Sequence, residues 1–292
     1  MRAVIAVSSN KGGVGKTTVA TNLAIYLRAL YEDLPVLLIG LDDQSVIDRM
    51  FRLRPRAPGE PNLKHAFAER SLERAIQLGQ YGVSFVPTPP DVELLKARVD
   101  DPSTLRRMLD RVELPGVAIL DTKNDLEALT RNALHAADLV IVPISDWASF
   151  EEAEKLQALL AKTPAGETPG RALLTLVDRR TRVDESGRDL YDRLVTAIDG
   201  RGWPRFETYL SRSPRVEALN SATSNPGSIL HHARGTQVHA QLRTLAEEVV
   251  RTIDPDGRLA PARSVPPPAA PEPDAQAPFG SLKRALLRGL GR

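Results

Sequence analysis

The sequence predicts an α/β protein in which a doubly wound, mostly parallel sheet carries helices on both faces. Two observations predict this class. Short, continuous apolar runs recur along the chain, as in strands that are buried on both faces. Segments with helical periodicity alternate with these runs, which is the order of connected strand–helix units. The predicted strands span residues 3–8, 36–39, 83–86, 117–120, 139–143 and 172–177.

The predicted helices lie between and after these strands. Their apolar residues recur at spacings of three and four, which is typical of a helix with one buried face. They span residues 17–31, 63–78, 91–111, 125–136, 149–161, 186–199 and 235–253. Ligands of such folds bind at the carboxyl ends of the strands, so residues that directly follow a predicted strand are the candidates for function.

The composition excludes several classes of protein. The 292 residues suffice for one large core with appendages. The absence of cysteine excludes a disulfide framework and a thiolate metal site. The adjacent His231 and His232 have no partner at a zinc-ligand spacing, so we interpret them as surface or helix-end residues. Because no apolar run is long enough for a membrane span and no signal peptide fits before the first strand, we expect a cytoplasmic location.

The composition changes after Ile253. Residues 254–278 contain eight prolines interleaved with alanine, a density that prevents a helix and favours an extended linker. We therefore predict a domain over residues 1–253, a Pro/Ala-rich linker over 254–278 and a basic amphipathic tail over 279–292. The net charge is +2, and residues 254–292 account for it with six Lys/Arg and four acidic residues. Contact between nucleic acid and the domain would therefore need a local basic patch.

Residues 10–18, Asn-Lys-Gly-Gly-Val-Gly-Lys-Thr-Thr, join the first predicted strand to the first helix. Their second half matches the phosphate-binding loop pattern, in which backbone N–H groups and the start of a helix surround phosphate oxygens. Lys16 is expected to contact the β- and γ-phosphates of ATP, and Thr17 to hold Mg²⁺. The predicted nucleotide-binding residues are Lys11, Gly12, Gly13, Val14, Gly15, Lys16, Thr17 and Thr18.

The form Lys-Gly-Gly-Val-Gly-Lys-Thr-Thr, with a second lysine at its start, resembles the deviant Walker A loop of the ParA/MinD family of ATPases. These proteins partition plasmids and chromosomes or position other cargo. The resemblance extends over about residues 1–253, and further segments carry it at 36–44, 117–122, 137–143 and 175–182. The last of these segments is closer to ParA than to MinD.

The resemblance implies a homodimer that forms with ATP. In the family the first loop lysine reaches the partner's phosphates, and Lys11 matches that position. A cation supplied in trans would stabilise phosphoryl charge as an arginine finger does. Asp42 matches the carboxylate that orients the attacking water, and Asp121 matches the one that supports Mg²⁺, directly or through water. The resemblance thus implies slow, partner-stimulated hydrolysis with Lys11, Lys16 and Asp42 as catalytic residues.

Three positions depart from the family pattern. Gly40 stands where an aspartate is usual, Asp43 replaces a usual proline, and Lys123 follows Asp121 by two residues where proline is usual. Lys123 would either add a phosphate contact or disturb the water around the phosphate. These departures bear on turnover and not on ATP binding, so a non-hydrolysing, nucleotide-dependent scaffold stays an alternative.

The family binds non-specific DNA, such as the nucleoid, through basic residues in its C-terminal half. The candidates in this chain share a stretch whose single acidic residue is Glu207, and they are Arg201, Arg205, Arg212 and Arg215. Further arginines precede them at positions 179, 180 and 182. A solvated basic face is the alternative for these residues. It also applies to the earlier run of Arg49, Arg52, Arg54 and Arg56.

The tail offers a second surface for the nucleotide state to control. Phe279, Leu282, Leu286 and Leu290 share one helical face, and four Lys/Arg accompany them without any acid. This pattern suits a segment that lies on a membrane, as in a MinD-like regulator, or one that docks on a partner protein. A functionally silent tail is equally open. An activator or cargo-adaptor protein is also expected, and a metabolic enzyme of the same superfamily is the remaining alternative.

Overall fold

The computed structural model describes residues 3–42, 46–89, 91–92, 94–95, 99, 101–113, 116–162, 170–180, 187–221 and 226–258. Most of the predicted linker and the whole tail over 279–292 lie outside these ranges, as do Asp43 and Arg182. The linker and the tail therefore stay predictions.

One sheet of seven strands runs through the described part of the chain. The strands are β1 (Ala3–Val7), β2 (Val36–Gly40), β3 (Gln77–Leu78), β4 (Ser84–Val86), β5 (Val117–Asp121), β6 (Leu139–Ile144) and β7 (Gly170–Leu174). Their order is β3-β4-β2-β5-β1-β6-β7. All neighbours are parallel apart from β3, which pairs antiparallel with β4. The predicted doubly wound, mostly parallel sheet is confirmed.

The helices connect the strands and cover both faces of the sheet. Their bounds are α1 (Lys16–Leu30), α2 (Val46–Phe51), α3 (Leu63–Glu69), α4 (Thr104–Asp110), α5 (Ala128–Ala136), α6 (Trp147–Leu160), α7 (Leu190–Gly200), α8 (Pro214–Ser221), α9 (Ile229–His232) and α10 (Gln237–Ile253). A short 3₁₀ helix spans Gln80–Gly82. None of the helices in the described residues combines the length and the apolar composition that crossing a bilayer requires.

Two predicted helices are wrong in their extent. The helix predicted over 63–78 ends as α3 at Glu69, because Arg70 adopts a left-handed conformation (φ 52°) and its N–H closes the last turn. Residues Gln77–Leu78 instead pair with β4 as β3. Of the helix predicted over 91–111, α4 forms only Thr104–Asp110. Pro102 explains the late start, because proline inside a helix removes a hydrogen bond and clashes with the preceding turn.

Several short elements have no counterpart in the sequence prediction. Helices α2, α8 and α9 are too short for a periodic apolar pattern to develop. The segment 204–212 runs beside β7 and the residues that follow it, with bridges at Ala172–Arg205 and Val177–Ser211. Packing against the rest of the molecule decides their conformation; α9, for example, lies against α1 and α10.

The sheet separates two apolar cores, which explains the continuous apolar runs. Alternate side chains such as Ile5 and Leu38 pack with α1 and α10 on one face. Their neighbours such as Leu37 and Val140 pack with α4, α5, α6 and α7 on the other. At the carboxyl edge, Val7 of β1 is in register with Asp121 of β5 and Ile141 of β6. The loops that follow these strands therefore meet at one edge of the sheet.

Candidate nucleotide-binding site

The loop between β1 and α1 is shaped by glycine and fastened to the sheet. Gly13 (φ 78°) and Gly15 (φ 89°) have left-handed backbones, which glycine adopts without steric cost. Val14 between them is fully buried, and its carbonyl accepts a hydrogen bond of 2.8 Å from the Thr175 hydroxyl. Gly12 and Gly13 are exposed. The loop is thus anchored to the sheet at Val14, while its backbone at Gly12 and Gly13 faces solvent.

The first turn of α1 is arranged for an anion. Gly15 precedes the helix without a capping side chain, and no acidic residue stands in the first turn. The amide groups at this end therefore keep hydrogen-bonding capacity for a ligand, with the positive end of the helix behind them. Thr18 is half-buried in this turn, and its carbonyl accepts from the Asn22 side chain at 2.9 Å.

Lys16 lies folded beneath the loop. Its ammonium donates to the carbonyl of Lys11 at 3.1 Å, and the residue is only 8% exposed. Burial lowers the pKa of Lys16, while the carboxylates of Asp121, Asp42 and Asp125 act in the opposite direction. A buried ammonium beside the first turn of a helix is suited to phosphate oxygens, as the sequence predicts for this residue.

Asp121 ends β5 directly opposite the first turn of α1. Burial raises the pKa of its carboxyl to about 7, against the opposing effects of a hydrogen bond from Thr17 and the charge of Lys16. Its Oδ1 atom is buried without a hydrogen-bond partner among the described residues. An unsatisfied carboxylate oxygen beside a threonine hydroxyl is the oxygen-donor chemistry that Mg²⁺ requires, so these residues fit the predicted metal.

Asp42 joins these two residues in one narrow cleft. The cleft is lined by Thr17, Gly40, Asp42, Val46, Ile47, Thr88 and Asp121. Gly40 is in register with Asp121, and the N–H of Leu41 donates to the Asp121 carbonyl at 2.9 Å. The pairing of β2 with β5 therefore places the predicted water-orienting carboxylate beside the predicted metal residues.

Lys11 points away from this cleft. Its ammonium lies 2.6 Å from Asp146 Oδ2, with the two side chains 32% and 42% exposed. Asp146 also caps α6, because its Oδ1 accepts from the Ser149 N–H at 2.8 Å. Burial acts to raise the pKa of Asp146, but the hydrogen bonds from Lys11 and Ser149 outweigh it and lower that pKa. Nearby, the Asn10 amide donates to Glu152 Oε2 at 2.5 Å.

Three residues of this region were missed in the sequence, namely Thr88, Asp146 and Glu152. Asp146 had a signal: it lies two residues after the end of β6, and Ser149 stands three residues later in the spacing of a capping box. The contacts of Thr88 and Glu152 depend on distant parts of the chain. Lys123 is half-buried, and its carbonyl accepts from the Thr122 hydroxyl at 3.2 Å. The Asn124 amide approaches Gly12, so the segment after β5 borders the loop.

The predicted DNA-binding arginines carry more acidic partners than their sequence neighbourhood indicates. Arg201 pairs with Glu154 at 2.5 Å, from α6. Arg205 pairs with Asp199 at 2.9 Å as well as with Glu207 at 3.5 Å. Arg212 pairs with Glu217 at 2.9 Å, and Arg215 is exposed. Folding therefore brings Glu154, Asp199 and Glu217 to a group that has only Glu207 within its own stretch of sequence.

The interpretation of the earlier arginine run as solvated is wrong for Arg52. Its side chain is 12% exposed and pairs with Asp48 at 2.7 Å and Glu60 at 2.6 Å. Desolvation acts to lower the pKa of Arg52, but its two carboxylate partners outweigh this and raise it. Arg49, Arg54 and Arg56 are exposed, as expected.

Comparison with known proteins decides the family. A family model described as an AAA domain matches residues 2–162, more than half of the chain. The chain is also 34% identical over 255 residues to the chromosome-partitioning ATPase Soj of Thermus thermophilus, covering 85% of this chain and 96% of Soj. It belongs to the ParA/MinD family of ATPases. A second relative of this family, maintenance of carboxysome distribution protein A of Gloeobacter kilaueensis, is 29% identical over 254 residues and covers 85% and 94%.

A solved structure shares the fold at low identity. Cobyrinic acid a,c-diamide synthase of Mycobacterium smegmatis, with bound ADP and magnesium, superposes with a TM-score of 0.68 at 22% identity and covers 90% of this chain and 100% of the synthase. The predicted cofactors, ATP with Mg²⁺, agree with the ligands of that structure. The fold alone does not separate ParA-like proteins from synthases, whereas the identity to Soj over its whole length does.

Proposed function

We propose that this protein is a ParA-like ATPase that positions cargo through ATP-dependent dimerisation, non-specific DNA binding and slow, partner-stimulated hydrolysis. The names of the two relatives point to chromosomes and carboxysomes as cargo of that class. In this proposal residues 1–253 form the ATPase domain, residues 254–278 a linker, and the tail over 279–292 a contact for a membrane or a partner protein. The protein acts in the cytoplasm, on the nucleoid.

The position of Lys11 carries the proposal. The loop already contains Lys16, which lies beneath its own backbone, so Lys11 is not needed to complete the loop in cis. Lys11 is instead at the surface, where one partly exposed ion pair with Asp146 holds it. Such pairs contribute at most about 1 kcal/mol, so little free energy is needed to release the ammonium. A second subunit that brings a phosphate of ATP to this surface would replace the carboxylate as the partner of Lys11.

The cleft supports a division of roles among its acidic residues. Thr17 and Asp121 hold the metal, and Asp42 orients the water that attacks the γ-phosphate. Bound Mg²⁺ neutralises charge on the phosphates. Lys16 balances phosphate charge from below the loop, where its burial strengthens the electrostatic interaction. Lys11 of the partner subunit would add positive charge only in the dimer, which couples hydrolysis to assembly.

The experiment that tests this proposal measures the molar mass of the full chain by light scattering after size-exclusion chromatography. We expect a dimer with ATP and a monomer with ADP. Lys11→Ala should stay monomeric with ATP while it still binds the nucleotide, whereas Lys16→Ala should lose nucleotide binding itself. Lys155→Ala is the control, because Lys155 also pairs with a carboxylate, Glu152 at 2.6 Å, but lies outside the loop. An ATP-dependent dimer of Lys11→Ala would contradict the proposal.

The DNA component is supported by the family and by the exposure of Arg212 and Arg215. A mobility-shift titration across a salt series should give binding with ATP, weak binding with ADP and a steep loss of affinity with salt. The double variant Arg212→Ala/Arg215→Ala should lower the salt slope by about two, since each phosphate contact contributes about one. Arg74→Ala, which removes another exposed arginine, paired with Glu69, is the control. Binding indifferent to nucleotide and to salt would exclude this component.

A further inference from the structure

One wall of the cleft lies at the end of β2, where the strand contributes Gly40 and therefore no side chain. β2 ends at Gly40, on the face of the sheet where Asp121 of β5 lies in register with it. A Cβ atom at position 40 would lie 3.2 Å from the Thr88 hydroxyl oxygen and 2.9 Å from Ile47 Cδ1. The space that a side chain at this position would enter is therefore already filled. Thr88 supplies the polar part of that filling and Ile47 the apolar part.

The Thr88 hydroxyl lies at the cleft and can accept a hydrogen bond there. It donates its proton to the carbonyl of Gly40 at 3.3 Å. A hydroxyl has one proton and two lone pairs. Because the proton is donated to the Gly40 carbonyl, the lone pairs remain available to accept hydrogen bonds. Thr88 is 5% exposed and lines the cleft together with Thr17, Asp42 and Asp121. A group that donates hydrogen bonds is the natural occupant beside it, and waters bound to a cation donate strongly.

The backbone around Thr88 is held from two further directions. Its N–H donates to Asp48 Oδ1 at 3.0 Å, and the other oxygen of Asp48 receives Arg52 at 2.7 Å. Arg52 in turn pairs with Glu60 at 2.6 Å. This largely buried network ties the segment after β4 to α2. The hydroxyl is thus fixed before any ligand binds, which is the condition for precise positioning.

We propose that the Thr88 hydroxyl accepts a hydrogen bond from a water of the magnesium shell, and so is a positioning residue for the metal that Thr17 and Asp121 hold. The role rests on the proposed function, since it presupposes Mg²⁺ and nucleotide in this cleft. It means that, next to Gly40, a neutral hydroxyl from the segment after β4 meets the magnesium shell where β2 offers no side chain. Nucleotide binding in the absence of metal does not involve this hydroxyl.

The test measures the affinity of the full chain for a fluorescent ADP analogue, first in EDTA and then across a Mg²⁺ titration. For Thr88→Val, which keeps the volume and removes the hydroxyl, the Mg²⁺ concentration for half-maximal tightening should rise about three- to tenfold, the effect of one hydrogen bond. The affinity in EDTA should match that of the wild type. Thr88→Ser is the control, because it retains the hydroxyl and should behave as the wild type.

Two further variants keep the proposal testable if Thr88→Val does not fold. Thr88→Ala is a second hydroxyl-free form. Gly40→Ala leaves Thr88 in place but adds a Cβ atom against its hydroxyl, so it should shift the Mg²⁺ dependence in the same direction. An unchanged Mg²⁺ dependence in the hydroxyl-free variants, or an equal loss of affinity in EDTA, would overturn the role of Thr88. A wild type whose nucleotide binding ignores Mg²⁺ would instead contradict the proposed function itself.

Discussion

The two carboxylates of the cleft, Asp121 and Asp42, differ in how deeply they are buried. Asp121 is buried at the end of β5, and burial raises its pKa to about 7. Asp42 is half-buried beyond the end of β2. A bound cation favours the ionised form of a buried carboxylate, so the proposed Mg²⁺ site would favour ionised Asp121. Asp42 lines the same cleft as Thr17 and Asp121.

At the residue scale, we predict that Asp42→Ala lowers the rate of phosphate release by roughly 100-fold, the usual effect of removing a group that activates water. Nucleotide binding should stay close to that of the wild type, because Lys16 and the loop amides remain. Steady-state phosphate release and a nucleotide titration check both parts. Asp110→Ala, which removes an exposed carboxylate paired with Arg106 at 3.0 Å, is the control. Equal rates in wild type and Asp42→Ala would remove Asp42 from this role.

At the scale of the elements, α6 connects the core to the surface around Lys11. Phe150 and Leu156 of the helix are buried. Its first turn is closed by a capping box in which Asp146 and Ser149 exchange hydrogen bonds. The same Asp146 binds Lys11. One carboxylate therefore stabilises a helix and orients the lysine on which the proposed dimer depends.

Substitution of Asp146 separates its two contributions. Asp146→Asn keeps a good helix cap but removes the charge that holds Lys11, so the free energy of unfolding should change by at most about 1 kcal/mol. Asp146→Ala also removes the cap and should cost about 1 kcal/mol more. Denaturant unfolding of both variants gives the difference. Equal stability of the two variants would show that the cap contributes nothing to α6.

At the scale of the whole molecule, the N- and C-terminal parts of the domain join where α10 packs on α1. Leu23 and Ala24 of α1 and Leu242 and Leu245 of α10 lie in the same core. The Tyr26 hydroxyl lies 2.7 Å from His239 Nδ1 across this contact. Burial lowers the pKa of His239, and the charges of Arg234 and Arg243 lower it further. The neutral histidine is thus the form that the folded protein prefers.

This preference predicts a stability that depends on pH. The unfolded chain binds the proton of His239 near the ordinary histidine pKa of about 6.5, while the folded protein resists it. Stability from this contact is therefore present above that pH and is lost as the pH falls below it. The melting temperature of the wild type should fall more between pH 7.5 and 5.5 than that of His239→Gln. An equal fall in both proteins would exclude a contribution from His239.

Much of the fold was predictable because its signals are local. All six predicted strands form, since a strand buried on both faces needs a continuous apolar run. The helix predicted over 63–78 stops at Glu69, because Arg70 adopts a left-handed conformation and Gln77–Leu78 pairs with a strand, which competes with helical propensity. The helices α2, α8 and α9 gave no periodic signal because they are too short for one to develop.

The sequence by itself determined the phosphate-binding loop and the order of strands and helices around it. A loop of glycine, lysine and threonine between a strand and a helix needs only local chain geometry to face an anion. Only the tertiary structure decided which distant residues meet. Lys11 and Asp146 are 135 positions apart, and Gly40 and Thr88 are 48 apart. Such pairs follow from the order of strands in the sheet, because that order sets which strand ends become neighbours at the carboxyl edge.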